Sequence, residues 1–156
     1  MRTWRSCKLI LMSLNAVEIA LLRPLLGKVS FFESLEPQEL DAVAAALDKV
    51  SFRKDETLIR QGDTGDAFYL VGSGAVRVVK DGTKVAELKE VGFFGEIALL
   101  FDVKRTATVE GTAPGDLYRM GRAEFERMIE ANRLIGDLIR VTAQQRLAKE
   151  DSAPAN

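Results

Sequence analysis

Histidine is absent from the 156 residues, and cysteine occurs once, at Cys7. Without histidine the usual zinc ligand sets and the commonest general base are out of reach, and one cysteine cannot close an internal disulfide, which fits a reducing cytoplasm. No charge sign predominates either. Twenty-two basic residues stand against 23 acidic ones, a net charge of -1, so bulk attraction to nucleic acid or to an acidic membrane is missing and any bound anion must be held locally. Nor is there a long apolar run: Leu9 to Leu26 is interrupted by Ser13, Asn15, Glu18 and Arg23, which suits a packed or amphipathic helix rather than a membrane span. No nucleophile elbow is present. The one notable pair of acids, Glu96 and Asp102, flanks a short loop as acids commonly do, so the chain reads as a binding module and not an enzyme.

The length suits one domain with helical flanks. Apolar Leu11, Leu14, Val17, Leu21 and Leu22 recur at helical spacing and predict a helix from about Trp4 to Leu26, followed by a second that Pro37 opens, with Leu40, Val43, Ala44 and Leu47 on its apolar face. From Val50 to about Met120 the helical period gives way to short strand-like runs between glycine turns, such as AFYLVGSG and AVRVVKDG. Asp81-Gly82 predicts a type I′ hairpin, and many short strands at regular spacing predict a barrel, sandwich or jelly roll. After Gly121 the helical period returns through Phe125, Met128, Ile129, Leu134, Ile135, Leu138 and Ile139, with Gly136 as a bend or a close packing point.

One stretch in the β zone is not strand-like: Gly92 to Val109, GFFGEIALLFDVKRTATV. EIALLF is rich in helix formers and too short for a full helix, which predicts a helical turn inserted between strands. The start of such a turn presents main-chain N–H groups, Gly95 permits close backbone approach, and Arg105 can fold back to offer a planar guanidinium to the same anion. Glu96 cannot favour a phosphate and must face a donor such as a ribose hydroxyl.

FGEIALLFDVKRTATV resembles the phosphate-binding cassette of cyclic-nucleotide-binding domains, whose pattern is FGE, a small aliphatic-alanine-leucine turn, a variable loop, and RTA or RAA before a strand. The resemblance extends over nearly the whole chain. It implies an α+β fold: an eight-stranded antiparallel β-roll, jelly-roll-like, with an N-terminal helical segment and C-terminal helices, divided as a lead-in over residues 1–30, the binding domain over 31–150 and a frayed tail over 151–156. It also implies ligand contacts from Gly95, Glu96, Ile97, Ala98, Arg105, Thr106 and Ala107. The amides of Gly95 and Ala98 would hold the cyclic phosphate, Glu96 the ribose 2′-hydroxyl, and Arg105 an exocyclic phosphate oxygen. Gly72 departs from the pattern, since many members have there an acid that steadies the phosphate arginine.

The lead-in RTWRSCKLILMSL and LLGKVSFFESL are similar to the start of the second of two tandem domains in cyclic-nucleotide-dependent kinases and their regulatory subunits. Thr106 matches the residue that meets the guanine 2-amino group in cGMP-dependent kinases, so the resemblance favours cGMP over cAMP, although Ala86 stands where some of those kinases have an arginine. The alternatives are a cAMP-binding domain of a kinase regulatory subunit and the cytoplasmic sensor of a cyclic-nucleotide-gated channel. A transcription regulator on the same fold would need a helix-turn-helix after the last helix. Expected partners are the cyclic nucleotide and a kinase catalytic domain or a neighbouring domain of the same family, with no nucleic acid, membrane insertion, metal or further cofactor, in the cytoplasm. Because no aromatic residue follows Phe125, the lid over the base is expected to be aliphatic or polar, with Leu134 and Gln144 as candidates.

Overall fold

The computed structural model describes residues 12–151; Cys7, the first part of the expected leading helix and the SAPAN tail from Ser152 lie outside them. The leading helix begins later than its apolar spacing predicts. Met12–Ser13 is a short strand, β1, paired antiparallel with Lys49 and Asp48. Helix α1, Ala16–Gly27, starts where Asn15 caps it: the Asn15 side chain accepts from the Glu18 N–H at 2.8 Å, and the Glu18 carboxylate accepts from the Asn15 N–H at 3.0 Å. This reciprocal capping box fixes the helix start and leaves Leu14 in extended chain. A 3-10 turn, Ser30–Phe32, and helix α2, Pro37–Ala45, complete the N-terminal helical layer. Proline at the first position of α2 costs no hydrogen bond, because that N–H has no intrahelical partner.

Eight further strands make the roll: β2 (Asp48–Phe52), β3 (Thr57–Ile59), β4 (Ala67–Val71), β5 (Ala75–Lys80), β6 (Thr83–Leu88), β7 (Phe93–Phe94), β8 (Thr108–Ala113) and β9 (Gly115–Gly121). They form two sheets, in the orders β1-β2-β9-β4-β7 and β3-β8-β5-β6, and every pairing is antiparallel. The turn between β5 and β6 carries Asp81 and Gly82 at φ +52° and +81°, the double positive φ that the hairpin signal requires. Between β7 and β8 lies helix α3, Glu96–Phe101. After β9 come α4, Arg122–Ala131, and α5, Arg133–Asp151.

Alternation along the strands creates two cores. All of β4 is buried, since Phe68 and Leu70 face the helices while Ala67, Tyr69 and Val71 face the roll interior. Phe93 and Phe94 divide in the same way. Leu22, Leu26, Phe31, Phe32, Phe125, Ile135 and Ile139 fill the helical core, so the N-terminal and C-terminal helices pack on one face of the five-stranded sheet. Gly136 proves to be a packing point: a Cβ there would stand 3.3 Å from the Ile129 carbonyl oxygen, and the break between α4 and α5 falls earlier, at Asn132. Among the described residues no helix is long and apolar enough to cross a membrane.

Candidate functional site

A cavity of about 260 Å³ opens between α3, the inner face of the four-stranded sheet and the far end of α5. That is close to the lower end of the roughly 300–1,000 Å³ typical of small-molecule sites. All seven residues expected to contact ligand line it: Gly95, Glu96, Ile97, Ala98, Arg105, Thr106 and Ala107.

Gly95 sets the entry to α3. Its φ is +96°, and a Cβ there would stand 2.7 Å from the Ala67 carbonyl oxygen and 3.1 Å from Arg105 Nη1, so both the backbone angle and the space require glycine. At the other end of the six-residue helix Asp102 also has positive φ, +52°, and it is exposed, far in character from the buried Glu96. Glu96 lines the cavity and Asp102 does not.

Arg105 is 5 % exposed and points inward. Its Nη1 donates to the Gly95 carbonyl and its Nη2 to the Ala67 carbonyl, each at 3.0 Å. Two of five guanidinium N–H groups are thereby committed, which leaves donor capacity for an anion. Burial pushes the Arg105 pKa down, with Tyr69, Asp66 and Glu96 opposing the shift. A guanidinium still stays protonated under such conditions, so the cavity wall carries a fixed positive charge in a poorly hydrated place. The main chain around it is also clamped: Gly62 N–H donates to the Arg105 carbonyl at 2.9 Å, and Arg105 N–H donates to the Asp63 carbonyl at 2.7 Å. Gly72, where the resemblance leads one to look for an acid, packs instead against the Tyr118 ring, and the carbonyls of Gly95 and Ala67 hold the guanidinium.

Glu96 is 1 % exposed. Its carboxylate pairs with Arg146 Nη1 at 3.2 and 3.4 Å, and the same Nη1 also donates to the Phe93 carbonyl. The Arg146 guanidinium lies 4.0 Å from the centroid of the Phe93 ring, a cation–π contact that adds to the ion pair. The end of α5 is thus fastened to the cavity through a cation, not through an aliphatic or amide cap.

Helical phase turns the two expected caps away from the cavity in this structure. Leu134 is 57 % exposed and Gln144 is exposed, and neither lines the cavity. On α5 the buried stripe runs Ile135, Ile139, Ala143, and spacing of three continues it to Arg146. Leu134 and Gln144 each sit one residue off this stripe, about 100° around the helix. Arg146 and Lys149, both missed in the sequence, line the cavity in their stead. The signal that could have found Arg146 is its place at the end of that stripe. The remaining lining is mostly apolar, Ile59, Val78, Val85, Ala86, Leu88, Phe94 and Val109, with Glu87.

The chain matches the model of the cyclic nucleotide-binding domain over residues 49–132, more than half its length. It is 38% identical over 106 residues to a cAMP-dependent protein kinase regulatory subunit from Emericella nidulans, covering 67% of this chain and 26% of that protein. It is 36% identical over 101 residues to the cAMP-dependent protein kinase type II regulatory subunit of Drosophila melanogaster, covering 65% and 27%. The chain thus spans about a quarter of these relatives. Both are regulatory subunits by name and not catalytic chains. Among solved structures, one described as Sp-2Cl-cAMPS bound to PKAR CBD2 shares the fold with a TM-score of 0.80 at 24% identity, covering 87% of this chain and 91% of that one. The regulatory domain of Toxoplasma gondii PKA with cAMP aligns at 26% identity and a TM-score of 0.74, covering 81% and 50%. With the β-roll, the buried arginine and the glycine-opened helical turn in place, the chain belongs to the cyclic nucleotide-binding domain family.

Proposed function

We propose that this chain is a cyclic-nucleotide sensor of the kind found in kinase regulatory subunits, non-catalytic, with cAMP as its ligand. The observation that carries the reading is Arg105: a buried guanidinium, held by two carbonyls and facing a closed-in cavity beside the Gly95 turn. A fixed cation of this kind has little use in a wall unless an anion meets it, because burying it unpaired is costly. The ligand phosphate meets Arg105 and the first amides of α3, the ribose hydroxyl meets Glu96, and the base lies against the aliphatic wall formed by β5, β6 and β8. Arg146 then joins the Glu96 carboxylate, the group that meets the ribose, to α5, so ligand binding and the position of α5 share one contact. A differential affinity for two positions of α5 relays the signal to a kinase catalytic chain or a neighbouring domain.

Cyclic AMP stands first because the curated relatives that match are named for it. Thr106, which lines the cavity, supports cGMP as the second reading through the resemblance noted above. Side-by-side calorimetric titration of the purified chain with the two nucleotides tests the order. Tighter cAMP binding is expected. If cGMP binds tighter, and Thr106→Ala weakens cGMP while sparing cAMP, the second reading replaces the first.

A further inference from the structure

The hairpin β5–β6 supplies much of the aliphatic wall of the cavity, through Val78, Val85, Ala86 and Leu88. Yet β6 is an edge strand, paired with β5 alone, and the register between the two shifts at Val78 and Val79, just before the turn. A hairpin with one free side and an interrupted ladder can tilt unless its tip is fastened.

Gln61 fastens it. The Gln61 Nε2 donates to Asp81 Oδ1 at 2.8 Å, and the Asp81 N–H donates to Gln61 Oε1 at 2.9 Å, so one amide closes on both the side chain and the main chain of the turn. Gln61 is itself pinned, since its N–H donates to Thr108 Oγ1 at 2.9 Å. It follows β3, the opposite edge strand of the same sheet, and Thr108 opens β8 directly after Thr106 and Ala107 of the cavity lining. This residue therefore spans three elements that meet at one end of the sheet: the exit of β3, the entry of β8 and the β5–β6 tip.

We infer that Gln61 is a positioning residue for the base: by closing on Asp81 it holds the β5–β6 hairpin at a set distance from Thr106 and Ala107, and so fixes the width of the compartment between them. The inference rests on the reading that the base lies against this wall, and it names what sets the fit there.

The test is calorimetric titration of the purified chain with cAMP and with cytidine 3′,5′-cyclic monophosphate, whose smaller base reaches less of the wall. Gln61→Glu keeps the shape of the side chain but removes the amide donor and sets a carboxylate against that of Asp81. Affinity for cAMP should fall about fivefold, within the coupling range of groups in contact, and affinity for the cytidine nucleotide by less than about twofold. Adding Asp81→Asn, which tolerates the positive φ of the turn, supplies an amide donor opposite the new carboxylate and reverses the polarity of the pair. This double variant should bind cAMP within about twofold of the wild-type chain. Unchanged cAMP affinity in Gln61→Glu, equal losses for the two nucleotides, or a double variant no better than the single one each overturn the inference. Should Gln61→Glu not fold, Gln61→Met, similar in size and without the amide, takes its place, and the difference between the two nucleotides decides. Failure of the underlying reading looks different: the wild-type chain would then bind cAMP no more tightly than the cytidine nucleotide.

Discussion

The two ends of the cavity are built on different principles. At the phosphate end, residues 95–107 come from one stretch of chain, and their geometry is imposed by backbone: positive φ at Gly95, close contacts at Gly65 and Gly95, and carbonyls that hold the Arg105 fork. At the other end, Arg146 arrives from a helix that starts at Arg133, beyond the break at Asn132, and is held by one ion pair, one carbonyl and one ring face. The first end is over-determined and has little room to move. At the second, the turns up to Ala143 are anchored by buried Ile135, Ile139 and Ala143, and Arg146 beyond them joins the far end of α5 to Glu96 and Phe93. A sensor needs both kinds of construction: a rigid part to recognise the ligand, and a part whose position the recognition can shift.

Substitutions at the two ends should therefore fail in different ways. The largest effect belongs to Arg105→Ala, which removes two charge-assisted contacts to the ligand, about 3–6 kcal/mol together, or about two to four powers of ten in affinity by calorimetry. Circular dichroism should show the fold retained, because the space vacated lies at the cavity. Gly95→Val comes next. Positive φ costs a β-branched residue about 1–3 kcal/mol, and the added Cβ meets the Ala67 carbonyl, so thermal stability and cAMP affinity should fall together. An unchanged melting temperature would mean that the phosphate end is less tightly built than the contacts at Gly95 require.

Arg146→Ala should act more modestly and in another place. Removing one partner of a buried pair costs about 3–5 kcal/mol; the Arg146 side chain is 28% exposed, so a value near about 2 kcal/mol is expected after allowing for solvent screening. Hydrogen exchange should speed up along the second half of α5 while the sheets stay protected. The double variant Glu96→Gln/Arg146→Ala should recover part of the stability, because no buried negative charge then loses its cation. If exchange rises evenly through the roll, the lid is not a separable part.

The contrast also explains what the sequence made legible. That residues 95–107 gather at one cavity is legible because they are neighbours: GFFGEIALLF followed by RTATV brings glycine, acid and arginine together without knowledge of the tertiary fold. The Asp81-Gly82 hairpin was readable for the same reason, since the turn geometry depends on two adjacent residues. The lid was not. Leu134 and Gln144 suit a lid by residue type, whereas the decisive variable is the phase of α5 on the sheet, which Ile135 and Ile139 fix by burial in a core shared with Phe31, Phe93 and Phe125. The leading helix failed at its boundary for a related reason. Apolar spacing continues through Leu14, but the local capping box at Asn15 and the pairing of Met12 with Lys49 prevail.

The account turns on whether the Arg105 end of the cavity receives a phosphate. Titration of the wild-type chain with cAMP and, in parallel, with adenosine isolates that group, because the two ligands share base and ribose. The cyclic phosphate should raise affinity by about a hundredfold or more, the equivalent of about 3 kcal/mol of charge-assisted contact. Equal affinity for the nucleotide and the nucleoside would contradict the assignment of Arg105 and, with it, the function proposed for the cavity.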